Sequence, residues 1–268
     1  MDTGAALTHA KGFETYILSA AVGLARTSGL VLIMPVFLRL GLVGILRAGV
    51  ALVLALPLLP FIAATFPFDQ SSAGQIGAIL FKEVMVGLTI GLVLGVPIWA
   101  AQAAGEFLDV QRGVNFADLV DPSSSSNNNI TGSLFSIIIV AIFFASGGLN
   151  ITMRAVYESY KLWPLTNFLP VFREGSAPLF LDLLDDVFSM GLMLVVPIMM
   201  ALLLTDLSLA LVARAAPHLN IFVLSLTVKN LAFILLLTLY ATFLLGYMRD
   251  DLGWLAAFDS KIGPFAPK

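Results

Sequence analysis

The sequence predicts an all-α membrane protein built from hydrophobic helical hairpins that contain broken helices. Of its 268 residues, 59% are hydrophobic and only 12% are charged, whereas about a quarter of the residues of an ordinary soluble domain are charged. Apolar stretches of spanning length, about 20 residues, recur along the whole chain. So much apolar surface has to be covered by lipid or by other protein subunits.

About six long apolar segments account for the predicted helices. The first, 16–38, is longer than the roughly 7–15-residue core of a signal peptide and contains Arg26, so we expect it to remain in the mature protein. No repeat of fixed period and no clean boundary divides the chain, so residues 1–268 are expected to form a single domain. The remaining segments are 42–66, 76–104, 130–150, 183–213 and 219–247.

Prolines inside these segments predict interrupted helices. A proline removes one intrahelical hydrogen-bond donor, and its ring clashes with the preceding turn. Broken helices in a bilayer protein need neighbouring protein or water to satisfy the freed backbone groups. The pattern therefore favours hairpins packed in an assembly over isolated straight spans. The prolines concerned are Pro35, Pro57, Pro60, Pro97 and Pro197.

Composition also disfavours several functional classes. The net charge is -3 and the basic residues are scattered, so the concentrated Lys/Arg patch of a nucleic-acid-binding protein is missing. The chain has no cysteine and its only histidines are His9 and His218, which argues against thiolate metal sites, zinc sites and a Ser-His-Asp triad. We therefore expect no nucleic acid, no metal and no cofactor.

A stripe of glycines lies on the third apolar segment. Gly87, Gly91 and Gly95 recur every four residues, so they share one helical face on which another helix can approach closely. We interpret this stripe as a helix-packing surface. At the start of the same segment, Lys82 and Glu83 are interpreted either as an interfacial anchor or as a contact to a neighbouring subunit.

Two ionisable residues lie inside apolar runs, Asp206 in the fifth segment and Lys229 in the sixth. Charges in such positions are costly and are usually paired. If these segments turn at Pro217-His218, the two residues lie equally far from the turn, and an antiparallel hairpin brings them to one depth. We predict an internal ion pair; a contact to another subunit and a role in proton or ion relay are the alternatives.

Residues 105–129 form a polar junction that leads into a plug-like loop. Glu106, Asp109, Gln111 and Arg112 lie at the end of a long apolar helix. Glu106 and Asp109 are one turn apart, like the paired carboxylates of an acid/base enzyme. No nucleophile, electrophile or phosphate-binding loop accompanies them, so no catalytic residue is expected.

The loop itself combines apolar residues with a glycine at its start and a Ser/Asn tract, 123–129, at its end. Such a segment suits a movable lid or plug. The alternative is an ordinary connecting loop that its apolar residues anchor. The residues predicted to form the plug are Val114, Asn115, Phe116, Leu119 and Val120.

Two runs of residues resemble a known family. The run GEFLDVQRGVNFADLVDP, at 105–122, is similar to a signature of the SctT family of virulence-type secretion systems and of its flagellar sibling FliR. The run RAAPHLNIF, at 214–222, followed by Lys229, resembles a second signature of that family, although His218 replaces the usual glutamine. The run Gln111-Arg112-Gly113 favours the virulence-type branch.

The resemblance implies a non-enzymatic subunit of the type III export gate, a multi-pass protein of the bacterial inner membrane within the secretion basal body. Family members assemble with SctR- and SctS-type subunits into a helical hetero-oligomer through which unfolded exported proteins pass, alongside an SctU-type switch protein. The flagellar FliR role is the close alternative. A secondary transporter also combines discontinuous helices with intramembrane charges, but it needs a self-contained substrate site.

Overall fold

The computed structural model describes residues 3–67, 71–114, 129–167, 177–216 and 221–265, and all regular structure in these ranges is helical. The all-α prediction is therefore confirmed. The chain divides into two compact units, and the expectation of a single domain stays a prediction. Unit 1 comprises Met1–Gly95, Gly147–Asp182 and Trp254–Lys268, and unit 2 comprises Val96–Ser146 and Leu183–Gly253.

The helices are numbered here in chain order. The first half of the chain contains α1 (Thr3–Ile33), α2 (Pro35–Arg39), α3 (Ile45–Ala55), α4 (Leu59–Thr65) and α5 (Ala73–Arg112). The second half contains α6 (Ile130–Ala145), α7 (Gly148–Leu162), α8 (Ala177–Ala215), α9 (Ile221–Asp251), α10 (Gly253–Ala256) and α11 (Phe258–Ile262).

Five stretches in the described part of the chain are long and apolar enough to cross a membrane. A sixth candidate is the pair α6 and α7, which is bent by 75°. The bend falls at Gly147, whose φ of 74° lies in the left-handed region that glycine adopts without strain. The prediction of about six long apolar segments with broken helices is confirmed. The five stretches are Phe13–Ile33, Ile45–Thr65, Ala73–Arg112, Pro178–Ala215 and Leu224–Ala256.

Three of the five prolines coincide with helix breaks. Met34 adopts an extended conformation and Pro35 begins α2, as expected because a residue before proline avoids the helical region. Pro57 lies in a 3-10 turn, and Pro60 lies in the first turn of α4. A proline in a first turn removes no intrahelical bond, so α4 can follow directly.

At the other two prolines the prediction of an interrupted helix is wrong. Helix α5 continues through Pro97, and α8 continues through Pro197. Because Pro97 has no N–H, the carbonyl of Val93 loses its usual helical donor. The indole Nε1 of Trp254 donates to that oxygen at 2.7 Å, so a side chain replaces the missing backbone donor and α5 continues.

The long helices differ strongly in how much of their surface the chain itself covers. In the most apolar window of each candidate span, 72% of the residues of α5 are buried, against 28% for α8 and 17% for α9. Helix α5 is therefore enclosed by protein. Helices α8 and α9 leave most of their apolar side chains uncovered.

Candidate functional site

A glycine cap at Gly113 ends helix α5 where the predicted plug segment begins. Gly113 has a φ of 77°. Its N–H donates to the carbonyl of Val110 at 3.0 Å, and the N–H of Val114 donates to the carbonyl of Asp109 at 3.1 Å. These two bonds form a Schellman motif, which satisfies helix-terminal carbonyls. The chain therefore leaves α5 in a defined direction.

Asp109 joins the two ends of the loop. Its Oδ2 accepts hydrogen bonds from the backbone N–H of Thr131 at 2.9 Å and of Gly132 at 3.4 Å. Both N–H groups belong to the first turn of α6, where a carboxylate is also stabilised by the helix dipole. Asp109 is fully buried. A residue of α5 thus caps α6 and holds the end of α5 against the start of α6.

Arg112 adds a third helix to this junction. Its Nη2 donates to Asp109 Oδ1 and, at 2.7 Å, to the hydroxyl of Thr131, while Nη1 donates to Asn230 of α9 at 3.1 Å. The guanidinium carbon lies 3.8 Å from the centre of the Phe233 ring, a cation–π contact. The base of the loop is therefore fastened to α9 as well as to α6.

The structure joins Asp206 and Lys229 and brings both to the same junction. Lys229 Nζ lies 3.0 Å from Asp206 Oδ1 and donates to the carbonyl of Gln111 at 3.2 Å. Gln111 Nε2 donates to Asp206 Oδ2 at 3.4 Å. The ion pair and the junction, which the sequence predicts as two separate features, are therefore in contact in the structure. Together they form one loop-base cluster: Asp109, Gln111, Arg112, Asp206, Lys229 and Asn230.

Of the other predicted junction and plug residues, the structure describes Glu106 and Val114. Glu106 is one turn earlier on α5 and accepts a hydrogen bond from Gln102 at 2.8 Å, so it is not part of the loop-base cluster. Val114 is half-buried beside the glycine cap. The other predicted plug residues, Asn115, Phe116, Leu119 and Val120, lie outside the described residues.

The glycine stripe is buried, and two of its members face α1. A Cβ added to Gly87 would collide with the carbonyl oxygen of Arg26, and one added to Gly91 would lie 2.9 Å from the carbonyl oxygen of Leu30. Gly95 is also buried. The absence of side chains at Gly87 and Gly91 therefore lets the backbones of α1 and α5 touch.

A second polar cluster lies in unit 1. Arg26 Nε lies 2.5 Å from Glu83 Oε2, Nη1 donates to the hydroxyl of Ser159 at 2.8 Å, and Nη2 donates to the carbonyl of Trp163 at 3.1 Å. The Arg26 guanidinium also lies 3.5 Å from the centre of the Tyr160 ring. This cluster ties α1 and α5 to the C-terminal end of α7.

Lys82 completes this buried charge cluster. Its Nζ lies 2.9 Å from Glu83 Oε1 and donates to the carbonyl of Pro164 at 2.8 Å. The side chains of Lys82 and Glu83 are 0% exposed, so their interpretation as an interfacial anchor or subunit contact is wrong. Sequence reasoning missed the pairing with Arg26, although a charge inside an apolar stretch signals the need for a partner.

Comparison with known proteins identifies the family. The sequence matches the family described as "Bacterial export proteins, family 1" over residues 17–253. It is 33% identical to Yop proteins translocation protein T of Yersinia pestis, over 84% of this chain and 86% of that protein. It is 30% identical to secretion system apparatus protein SsaT of Salmonella typhimurium, over 87% and 90% of the two chains.

A flagellar relative matches as well. Flagellar biosynthetic protein FliR of Caulobacter vibrioides is 29% identical over 80% of this chain and 83% of its own length. Both signature runs, 105–122 and 214–222, lie inside the range that the family covers. The chain therefore belongs to the bacterial export proteins, family 1, and is a non-enzymatic, multi-pass inner-membrane protein of the SctT/FliR type from the type III export apparatus.

Proposed function

We propose that this chain is a subunit of the export gate, which forms with SctR- and SctS-type subunits the inner-membrane pore for unfolded exported proteins. An SctU-type switch protein is a further partner of this assembly. The loop-base cluster carries the proposal, because it fastens both ends of the segment 113–129 to one another and to two further helices, α8 and α9. The uncovered apolar faces of α8 and α9 support it, since subunits of an assembly would cover them.

In this proposal residues 113–129 close the pore when no substrate is present. The glycine cap and Asp109 hold the two ends of the segment together, so it moves as a loop while α5 and α6 stay in place. Val114, Phe116, Leu119 and Val120 supply apolar side chains that exclude water and hydrated ions at a constriction. Asn115 and the Ser/Asn tract leave the loop soluble when it is displaced.

The virulence-type role is preferred to the flagellar one. The relatives named for translocation and secretion are 33% and 30% identical to this chain, and the flagellar relative is 29% identical over a shorter part of it. The run Gln111-Arg112-Gly113 favours the same branch. Deleting the gene should therefore stop secretion of effector proteins and leave flagellar motility unchanged.

Ion conductance through the assembled complex in a planar bilayer tests the seal. Phe116→Gly combined with Leu119→Gly should raise the conductance while co-purification with the SctR- and SctS-type subunits stays normal. Ser124→Gly combined with Ser125→Gly is the matched control, because it changes the same loop at two polar positions. Unchanged conductance in a properly assembled Phe116/Leu119 variant would assign the barrier to a partner subunit.

A further inference from the structure

An apolar cleft opens between α1 and α3 in unit 1. Its volume is about 250 Å³, and small side chains form most of its walls. Arg47 lies at the cleft and is the one charged residue among those that line it. The cleft is lined by, among others, Gly29, Leu32, Ala48, Ala51, Val84 and Arg47.

The chain around the cleft carries unusually exposed apolar side chains. Between α2 and the first turn of α3, Val43 is 69% exposed, Ile45 87% and Leu46 60%. Val43 lies between two candidate spans, Phe13–Ile33 and Ile45–Thr65, and Ile45 and Leu46 are the first two residues of the second span. A segment between consecutive spans lies at a membrane surface, where exposed apolar side chains can enter the acyl-chain region.

The electrostatic character of this surface is positive. Arg39 is exposed and Arg47 is half-buried. Arg47 Nε donates to the carbonyl of Leu42 at 3.1 Å, and among the described residues the terminal nitrogens of Arg47 have no acceptor. The sequence contains no acidic residue between Glu14 and Asp69. The bond to Leu42 orients the guanidinium and leaves its two terminal nitrogens available.

We propose that this cleft binds one anionic phospholipid, with an acyl chain against the small residues of α1 and α3 and the phosphate on Arg47. Two N–H groups of one guanidinium can donate in parallel to two oxygens of one phosphate, a bidentate contact. An apolar partner helix would cover the cleft but would leave Arg47 without a counter-charge. A lipid supplies both chemistries at once, and its binding requires none of the export partners.

The absence of cysteine allows a clean test with single-cysteine probes. Ala48→Cys, labelled with bimane, is placed in phosphatidylcholine nanodiscs that contain either brominated phosphatidylglycerol or brominated phosphatidylcholine. Brominated phosphatidylglycerol should reach half-maximal quenching at a several-fold lower mole fraction. Arg47→Gln should abolish this preference, and Arg47→Lys should retain part of it because Lys keeps the charge without the bidentate contact.

Two further measurements keep the test decisive if Arg47→Gln fails to fold. High salt should weaken the preference in the chain that carries no arginine substitution, because it screens exposed charges. Bimane at Leu239→Cys, on the exposed face of α9, should respond equally to the two brominated lipids. Equal quenching at Ala48→Cys, a preference that survives Arg47→Gln, or no quenching at all would each overturn the proposal. Because the assay contains no export partners, its failure would leave the export-gate function untouched.

Discussion

Two cations and one carboxylate share the buried cluster at Arg26, Lys82 and Glu83, so the side chains alone leave an excess positive charge. The carbonyls of Trp163 and Pro164 accept from these cations, and both follow the last residue of α7. The C-terminal end of a helix carries partial negative charge. The end of α7 therefore balances the cluster, which explains how three charged side chains can be fully buried.

Loss of the carboxylate should be strongly destabilising. Glu83→Gln leaves Arg26 and Lys82 buried without a counter-ion, and breaking a buried pair in this way costs about 3–5 kcal/mol. The fraction of monodisperse protein that survives heating in mild detergent measures the effect. Lys161→Gln is the control, because Lys161 pairs with Glu158 at the surface with 75% of its side chain exposed. Equal heat resistance of Glu83→Gln and the unaltered chain would contradict the assignment.

At the loop-base cluster, Lys229 should matter more than Asp206. The Lys229 side chain is only 13% exposed and is bonded to both Asp206 and the Gln111 carbonyl. The Asp206 side chain is 37% exposed, so water can replace both Lys229 and its longer bond from Gln111. Lys229→Met should therefore lower the heat resistance more than Asp206→Asn does. The double variant should be no worse than Lys229→Met, because the two residues act on one interaction. Additive losses would mean that the pair is not coupled.

At the scale of elements, the contact between α1 and α5 is made by backbone on both sides. Gly29 of α1 lies against the carbonyl of Val84, and Gly87 of α5 lies against the carbonyl of Arg26. Glycines from both helices thus face each other's backbone. The stripe predicted from spacing on α5 is one half of this contact, and Gly29 on α1 is the other.

Even one methyl group should disturb this contact. Gly87→Ala adds a Cβ that overlaps the backbone of α1, and overpacking of this kind costs about 1–3 kcal/mol. Gly77→Ala on the same helix is the control, since an added Cβ there meets nothing within 4 Å, and alanine favours a helix by about 1 kcal/mol over glycine. In the heating assay, Gly87→Ala should be less heat-resistant than the unaltered chain. Gly77→Ala should be equally or more heat-resistant.

The sequence predicts those features that depend on residues close together in the chain. It does not predict those that depend on contacts between distant residues. Segment number, the glycine stripe and the hairpin position of Asp206 and Lys229 follow from local spacing. The continuity of α5 at Pro97 depends on Trp254, which lies 161 residues from the carbonyl that it satisfies. The contact of Arg26 with Ser159 joins residues 133 apart. No local pattern reveals contacts of that kind.

Trp254 donates the hydrogen bond that the Val93 carbonyl lacks because of Pro97, and this role can be tested directly. Trp254→Phe keeps an aromatic ring but removes the N–H, so the Val93 carbonyl becomes a buried acceptor without a donor, at a cost of about 1–3 kcal/mol. Pro97→Ala restores a backbone N–H to α5. Trp254→Phe alone should therefore be less heat-resistant than the unaltered chain. The Trp254→Phe, Pro97→Ala double variant should recover most of that heat resistance. An equal loss in both backgrounds would mean that the hydrogen bond is unimportant and that only packing is lost.

At the scale of the whole molecule, α8 and α9 are two long helices whose apolar surface the chain leaves largely uncovered, and the stretch Ile45–Thr65 is similarly open. In the apolar 18-residue stretch of each helix, the chain itself buries only 28% of the residues of α8 and 17% of those of α9. On α9, Leu231 is 71% exposed and Leu239 is 69% exposed. Either acyl chains or partner subunits must cover this surface, and the export-gate proposal requires that subunits cover it in the assembly.

A fluorescence quencher attached to the lipid distinguishes a surface covered by acyl chains from one covered by partner subunits. Bimane at Leu239→Cys should be strongly quenched by brominated phosphatidylcholine when the chain is alone in nanodiscs, because the side chain at this position is open. In the complex with SctR- and SctS-type subunits the quenching should be largely lost, since a packed helix keeps acyl chains away. Leu244→Cys, at a position only 3% exposed, should be weakly quenched in both samples and so controls for changes in bimane itself. Strong quenching at Leu239→Cys in the complete complex would show that α9 faces lipid there, and the assembly interface would then have to lie on other helices.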